Sequence, residues 1–401
     1  MKRVVVEARA PGPKLPFLQS DPLLRLWIAA AALVLLAMAS AAWPSLKAHL
    51  QALAILKRVS SQSVPFIAGE AATDAVRTED VSFVSPSGLV HARLYLPVGH
   101  PRAQSIVILH GVQHLGMDEP RLMAFATSIA ACGLRVLTPE LPDIADYRID
   151  QSSIRTIGEA AKWFAAKTGA PVGLMGLSFS GGMALIAATE PRYAGSIKYV
   201  FAVGAQDQMA RVVRFYQTGQ DIRPDHSIER LSPHEYGSLV LEYEYLEDFV
   251  SNPADLEPIR SVLRAHLYED NHAEQQAMVA LNAHQRAQVE QILDTSSEWT
   301  KAALKISETK HLRELNAMSP HGKIAALQTP VFLLHGEADN VIPSAESQWL
   351  AAELPRRTLK SLLISPEISH VDRSHSRALD LWDQWQLVHF VALVMEEAER
   401  R

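Results

Sequence analysis

Short apolar runs and helical stretches take turns along two parts of this chain. Ser105-Ile-Val-Ile-Leu109, Leu134-Arg-Val-Leu-Thr138, Val172–Leu177 and Ile197-Lys-Tyr-Val-Phe-Ala-Val203 are short and nearly continuous in their apolar character. That is the pattern of strands covered on both faces. Helical stretches at 120–131, 152–168 and 180–189 fall between or after them. Residues 80–84 and 91–98 read as an opening hairpin around Pro86-Ser87-Gly88. The alternation returns near the end: a strand at Val331–Leu334, a helix at 344–353, a strand at Leu359–Ile364 and a last helix near 377–398. Such strand–helix–strand units predict a mainly parallel sheet flanked by helices, an α/β fold.

Between these parts, from about Gln206 to Leu327, no strand pattern is visible. The stretch is rich in Ala, Leu, Glu, Gln and Arg, all good helix formers. A structureless loop of that length does not belong in a compact domain. The reading is a helical insertion, with helices at 207–218, 235–250, 254–267, 272–293 and 297–315.

The N-terminal part has a different pattern. Residues 26–43 carry no charge, and a bilayer-spanning helix needs about 17–25 apolar residues. Trp27 and Trp43 stand where interfacial aromatics stand, with Arg25 and Pro44 closing the ends. A cleaved signal peptide, with Ala39-Ser40-Ala41 as the peptidase site, is the rival. Its apolar core would run only about 7–15 residues, and its polar lead would be shorter. A buried core helix fits less well still, because the segment is apolar on every side and lies outside the later fold. An uncleaved single-pass anchor is expected. Lys2, Arg3, Arg9, Lys14 and Arg25 precede it, against Lys47, Lys57 and Arg58 after it. That excess places the N-terminal side in the cytoplasm and the rest of the chain on the extracytoplasmic side. Residues 45–58 read as an amphipathic helix that continues from the anchor, with packing on the following domain favoured over lying on the membrane. The expected layout is a tail at 1–25, a transmembrane anchor at 26–43, a helical linker at 44–78, a core at 79–205 and 328–401, and a cap insertion at 206–327.

Composition narrows the field of functions. Of 401 residues, 48% are hydrophobic and 20% charged, which suits a large buried core. The net charge is −6 and no basic block stands out, so nucleic acid is not an expected partner. The single cysteine, Cys132, excludes an internal disulfide and a multi-cysteine metal site, and reads as a small core residue. No pattern implies a metal or an organic cofactor, and the oligomeric state is left open.

The strand Val172–Leu177 runs into Gly176-Leu-Ser178-Phe-Ser180-Gly-Gly182. A strand that ends in Gly-x-Ser and passes through small residues into a helix forces the serine into a strained turn. Its hydroxyl then stands exposed at a helix N-terminus. Ser178 is therefore the candidate nucleophile. The second small position of the turn is Ser180 where such turns usually have glycine. A serine needs a base, and the base an orienting acid. Asp339, in Leu333-Leu-His-Gly-Glu-Ala-Asp339-Asn-Val-Ile-Pro343 just past a buried strand, is the acid candidate, with Glu337 second on the same loop. An aspartate in such a loop is often only a turn residue. His370, just after the last strand, is the base candidate, with His375 as fallback. The chain has 16 histidines, so position is what singles His370 out. A developing oxyanion needs oriented N–H donors. One is expected from Phe179 and a second from Val112 or Gln113 in the loop Leu109-His-Gly-Val-Gln-His-Leu-Gly116.

These motifs resemble those of the α/β-hydrolase fold superfamily. The resemblance covers about residues 80–205 and 326–398, with a helical cap where such proteins often carry one. Met318–Pro343 is similar to the acid-bearing region of that superfamily. The order Ser178, Asp339, His370 follows its topology. Two departures stand out: Ser180, and the absence of a lipase-type Gly-Gly-Gly after His110. The second weakens a lipase or tertiary-alcohol esterase reading. The resemblance implies a serine hydrolase, carboxylesterase-like, acting on an ester or related acyl bond of a small-molecule or lipid-like substrate through an acyl-enzyme. The alternatives are an acyltransferase or peptidase using the same triad, or a non-catalytic binding protein that keeps the fold.

Overall fold

The computed structural model describes residues 22–100, 102–366, 368 and 381–400. They fall into two units, one ending at Lys47 and the other starting at Ala48. In the first unit the described backbone is helical. It belongs to a single helix, Pro22–Val59, that passes through Pro44. The helix runs on beyond Pro44, in line with the reading of residues 45–58 as a helix that continues from the apolar segment. Proline forfeits one backbone hydrogen bond, but Ala41 and Ala42 before it and Leu46 and Ala48 after it propagate the helix. Leu26–Val59 is the one helix among the described residues long and apolar enough to cross a membrane. Its most apolar window has a mean hydropathy of 2.1 with nothing buried.

The second unit is built on a sheet. In chain order its strands are β1 (Val76–Ser85), β2 (Gly88–Pro97), β3 (Ser105–Leu109), β4 (Arg135–Pro139), β5 (Val172–Leu177), β6 (Ile197–Val203), β7 (Gln220–Ile222), β8 (Ile228–Arg230), β9 (Val331–Gly336) and β10 (Leu359–Ser365). Eight of them form one sheet in the order β1-β2-β4-β3-β5-β6-β9-β10. β2 runs antiparallel to both its neighbours, and every other pairing in that sheet is parallel. This order, with β2 reversed, is that of an α/β-hydrolase fold.

Residues alternate between two cores, one on each face. Val107 and Leu109 of β3 join Ile157, Phe164 and Leu185 from the helices Ser152–Thr168 and Phe179–Thr189. Ile106 and Ile108 join Ile55, Ile129 and Phe390 on the other face. Burial on both faces explains why these strands read as unbroken apolar runs. Residues 48–59 supply part of the second core through Ala48, Ala52 and Ile55. Gln51 also donates to the Cys132 carbonyl at 2.8 Å.

Helices at Met209–Thr218, Glu235–Glu244, Pro253–Leu267, Asn271–Ala280, Ala283–Leu293, Glu298–Lys310 and Leu312–Ala317 fill the stretch between β6 and β9. Two long expected helices are split. One breaks at Leu281-Asn282, where Asn282 and Gln285 form a capping box that starts the next helix. The stretch was expected to hold no strand, and here the structure corrects the sequence reading: β7 and β8 pair as a hairpin. Their pattern is inverted. Asp221 and Glu229 are buried while Ile222 and Ile228 are exposed, so hydrophobic alternation points the wrong way.

Asp221, Glu229 and the neighbouring Glu346 have partners. Glu229 accepts from the Ser344 hydroxyl and the Ala345 N–H, both at 2.8 Å. Glu346 accepts the N–H groups of Asp207 and Gln208 at 2.7 Å and pairs with Arg211. Arg211 also reaches Asp207 at 2.8 Å and Asp221 at 3.6 Å, and lies over the Trp349 ring. The insertion is thus latched to the helix Ala345–Glu353 that follows β9.

Candidate active site

The strand order reverses between β3 and β5. The chain steps from β3 outward to β4, then back to the other side of β3 for β5. Ligands of open α/β sheets bind at such a switch point, outside the strand C-termini. Leu109 pairs with Gly176 there, so the two strands end together.

Ser178 follows β5 with φ 58° and ψ −136°. A non-glycine residue pays for such a conformation and keeps it only where its surroundings over-determine it. Its N–H donates to the Val203 carbonyl at 2.7 Å, and its carbonyl accepts from Gly181 at 2.8 Å. Gly176 is required by close approach. A Cβ there would lie 2.5 Å from the Ser180 carbonyl oxygen and 2.6 Å from Gly181 Cα, both backbone atoms that cannot yield. Ser180 is fully buried. Its hydroxyl donates to the Leu177 carbonyl at 2.7 Å and accepts from the Leu177 N–H at 3.0 Å. The residue that departs from the usual glycine therefore clasps the turn.

The loop after β3 lies against this serine. A Cβ on Gly111 would stand 3.6 Å from Ser178 Cβ. His110 is buried. Its Nδ1 lies 2.8 Å from the Gly111 carbonyl oxygen, and its Nε2 accepts the Leu141 N–H at 3.0 Å. These roles require a neutral ring with the proton on Nδ1. Burial lowers the His110 pKa, against the opposing pull of Glu140. Glu140 accepts from the Met117 N–H at 2.8 Å. Gln113 spends its side chain inside the loop, accepting from the Leu115 N–H and donating to the Gly116 carbonyl. The backbone N–H groups of Val112, Gln113 and Phe179 have no acceptor among the described residues.

Asp339 sits past β9 and is buried, whereas Glu337 is exposed. One Asp339 oxygen accepts the N–H groups of Val341 and Ile342 at 3.0 and 2.9 Å. The other lies 3.4 Å from His335 Nε2. His335 is fully buried and committed, with Nδ1 on the Ser347 hydroxyl and Nε2 on the Ile342 carbonyl. It shapes the acid loop. Beside Asp339, burial pushes the Tyr216 phenol pKa well above its usual value, and the carboxylate adds to the effect.

His370 and His375 lie outside the described residues. The chain leading to them is anchored, however. Ser365 pairs with Gly336, and the Ile368 carbonyl oxygen would come within 2.3 Å of a Cβ on Gly336. Only glycine lets the segment after β10 cross there. The structure thus brings Ser178, the Val112–Gln113 loop and Phe179 to one switch point, and carries the β10 exit over the end of β9, the strand that leads to Asp339.

Sequence reasoning missed His335, Glu140 and the insertion's Tyr236, whose hydroxyl donates to the Val112 carbonyl. No local pattern marks them, because their partners lie on other segments. One group among the described residues has metal-ligand spacing: Asp207, His321 and Glu353. Arg211 already meets Asp207 at 2.8 Å, so positive charge is supplied there by the protein. A polar cleft of about 390 Å³ lies between Ser232–Glu235, Leu293–Ser296 and Asn340. Neither Ser178 nor the β3 loop lines it.

No family model matches the chain, and no curated protein matches it in sequence. Among solved structures it is similar to a hyperthermophilic esterase from the archaeon Pyrobaculum calidifontis, at 16% identity over 82% of this chain and 85% of that one, with a TM-score of 0.42. It is similar to brefeldin A esterase, a bacterial homologue of human hormone-sensitive lipase, at 14% identity over 86% of each chain and a TM-score of 0.44. An acylaminoacyl peptidase in complex with a chloromethyl ketone matches at 14% identity over 82% of this chain and 42% of its own, with a TM-score of 0.46.

Proposed function

We propose that this chain is a membrane-anchored serine hydrolase that cleaves an ester or related acyl bond. The observation that carries the reading is the strained backbone of Ser178 (φ 58°, ψ −136°) at the switch point, with the β3 loop packed against it at Gly111. Ser178 Oγ attacks the acyl carbon while His370 takes its proton, and Asp339 orients the imidazole. The tetrahedral oxyanion is met by the N–H of Phe179 and of Val112 or Gln113. The alcohol leaves with the proton held by His370. Water then repeats the sequence on the acyl-enzyme and frees the acid.

A small-molecule or lipid-like acyl substrate suits this chemistry. The helix Leu26–Val59 supports single-pass anchoring, and the excess of basic residues before it supports an extracytoplasmic catalytic domain. The test of the reaction is turnover of simple p-nitrophenyl esters. Ser178→Ala is expected to lower kcat by about 10⁴–10⁶-fold. Unchanged turnover removes Ser178 from the mechanism. The anchor is tested by alkaline carbonate extraction of cell membranes. The full chain is expected to stay in the pellet, and its release would remove the anchor.

A further inference from the structure

We infer that Tyr236, on the helical insertion, is a positioning residue for the oxyanion donors, and that His234–Tyr236 ties those donors to the acid loop. This rests on the serine-hydrolase reading.

A trans peptide points its C=O and its N–H in opposite directions. Fixing a carbonyl therefore fixes the N–H of the next residue. His110 Nδ1–H holds the Gly111 carbonyl, which sets the Val112 N–H. The Tyr236 hydroxyl holds the Val112 carbonyl, which sets the Gln113 N–H. Two successive peptides are thus locked through their oxygens, and their N–H groups stay open. His110 comes from the β3 loop itself, whereas Tyr236 reaches across from the insertion.

Tyr236 is itself held. It is the second residue of the helix Glu235–Glu244, and its N–H is capped by His234 Nδ1 at 3.2 Å. Its ring packs edge-on against Tyr147, with centroids 6.0 Å apart. The His234 N–H donates to the Asn340 carbonyl at 2.9 Å, one residue beyond Asp339. His234 and Tyr236, two positions apart, therefore grip one loop each, and a displacement of the insertion displaces donor and acid together.

Tyr236→Phe removes the hydroxyl and keeps the ring. Loss of a whole oxyanion donor costs about 10²–10³-fold in rate, and a donor that is present but free to swing should cost less, about 10–100-fold. On p-nitrophenyl butyrate, kcat is expected to fall by that factor with KM unchanged within two-fold. Affinity for butylboronic acid, whose tetrahedral adduct fills the oxyanion site, is expected to weaken by the same factor. Tyr193→Phe deletes a phenol that donates to Glu159 elsewhere in the fold and is expected to change neither. Tetrafluorotyrosine at 236 keeps the ring and makes the phenol more acidic, so it covers the case of a misfolded phenylalanine variant. It is expected to add a new fall in kcat as pH rises. Wild-type kcat and boronate affinity in Tyr236→Phe, or no new pH limb in the fluorinated protein, would overturn the inference and leave the hydrolase reading intact. Absence of any esterase turnover in the wild type overturns both.

Discussion

The Ser180 hydroxyl holds both backbone polar groups of Leu177, donating to its carbonyl at 2.7 Å and accepting its N–H at 3.0 Å. This bond pair closes the turn around Ser178. Ser180→Ala leaves the Leu177 N–H without that acceptor beneath the strained residue. An unsatisfied buried group costs about 1–3 kcal/mol. Urea unfolding is expected to show a loss in that range, with a fall in kcat as the turn relaxes. Full stability and activity in Ser180→Ala would remove the clasp.

Gly176→Ala places a Cβ against immovable backbone. Overpacking of this kind costs about 1–3 kcal/mol or more. The variant is expected to lose esterase turnover and fluorophosphonate labelling together, because the Ser178 conformation cannot form.

The parts that were legible in the sequence share one physical property. β3, β5, β6 and β9 are buried on both faces, so their apolar runs survive any register, and each was found within a residue or two. The turn at Gly176–Gly182 was legible because steric crowding restricts the residue types locally. β7 and β8 were not, because Asp221 and Glu229 face inward, to Arg211 and to the Ser344 hydroxyl and Ala345 N–H. Tyr236 was not either, since its partner Val112 lies 124 positions away. Ser180 looked like a defect while only its size was visible, and its hydroxyl acquires meaning through Leu177.

Asp207 and Asp221 give the stability a pH dependence of known sign. Burial, with the Glu346 carboxylate adding to it, pushes Asp207 up to about 6 and Asp221 up to about 8. Unfolded aspartates titrate near about 4. The folded state therefore binds the extra protons, and this contribution falls as pH rises from about 4 through 6 and 8. Glu242, raised by burial to about 8, acts in the same sense. Denaturant midpoints are expected to decline between pH 5 and pH 8.5. Asp221→Asn is expected to flatten the decline and to be more stable than the wild type at pH 8. An equal slope in both proteins would contradict the assignment.

Arg211 is the cation among Asp207, Asp221 and Glu346. Arg211→Leu leaves those acids facing one another. Breaking a buried pair from one side costs about 3–5 kcal/mol. The loss is expected to be larger at pH 8 than at pH 5, because protonation relieves the repulsion at the lower pH. Thermal melts at the two pH values compare them directly.

The central claim is that Ser178 is an activated nucleophile, and covalent capture tests it most directly. The full-length protein is treated with a fluorophosphonate, digested, and its modified peptide sequenced by mass spectrometry. A single adduct on Ser178, absent from Ser178→Ala and slowed in His370→Ala and Asp339→Asn, is the expected result. An unlabelled wild type, or an adduct on another residue that persists in Ser178→Ala, would contradict the account.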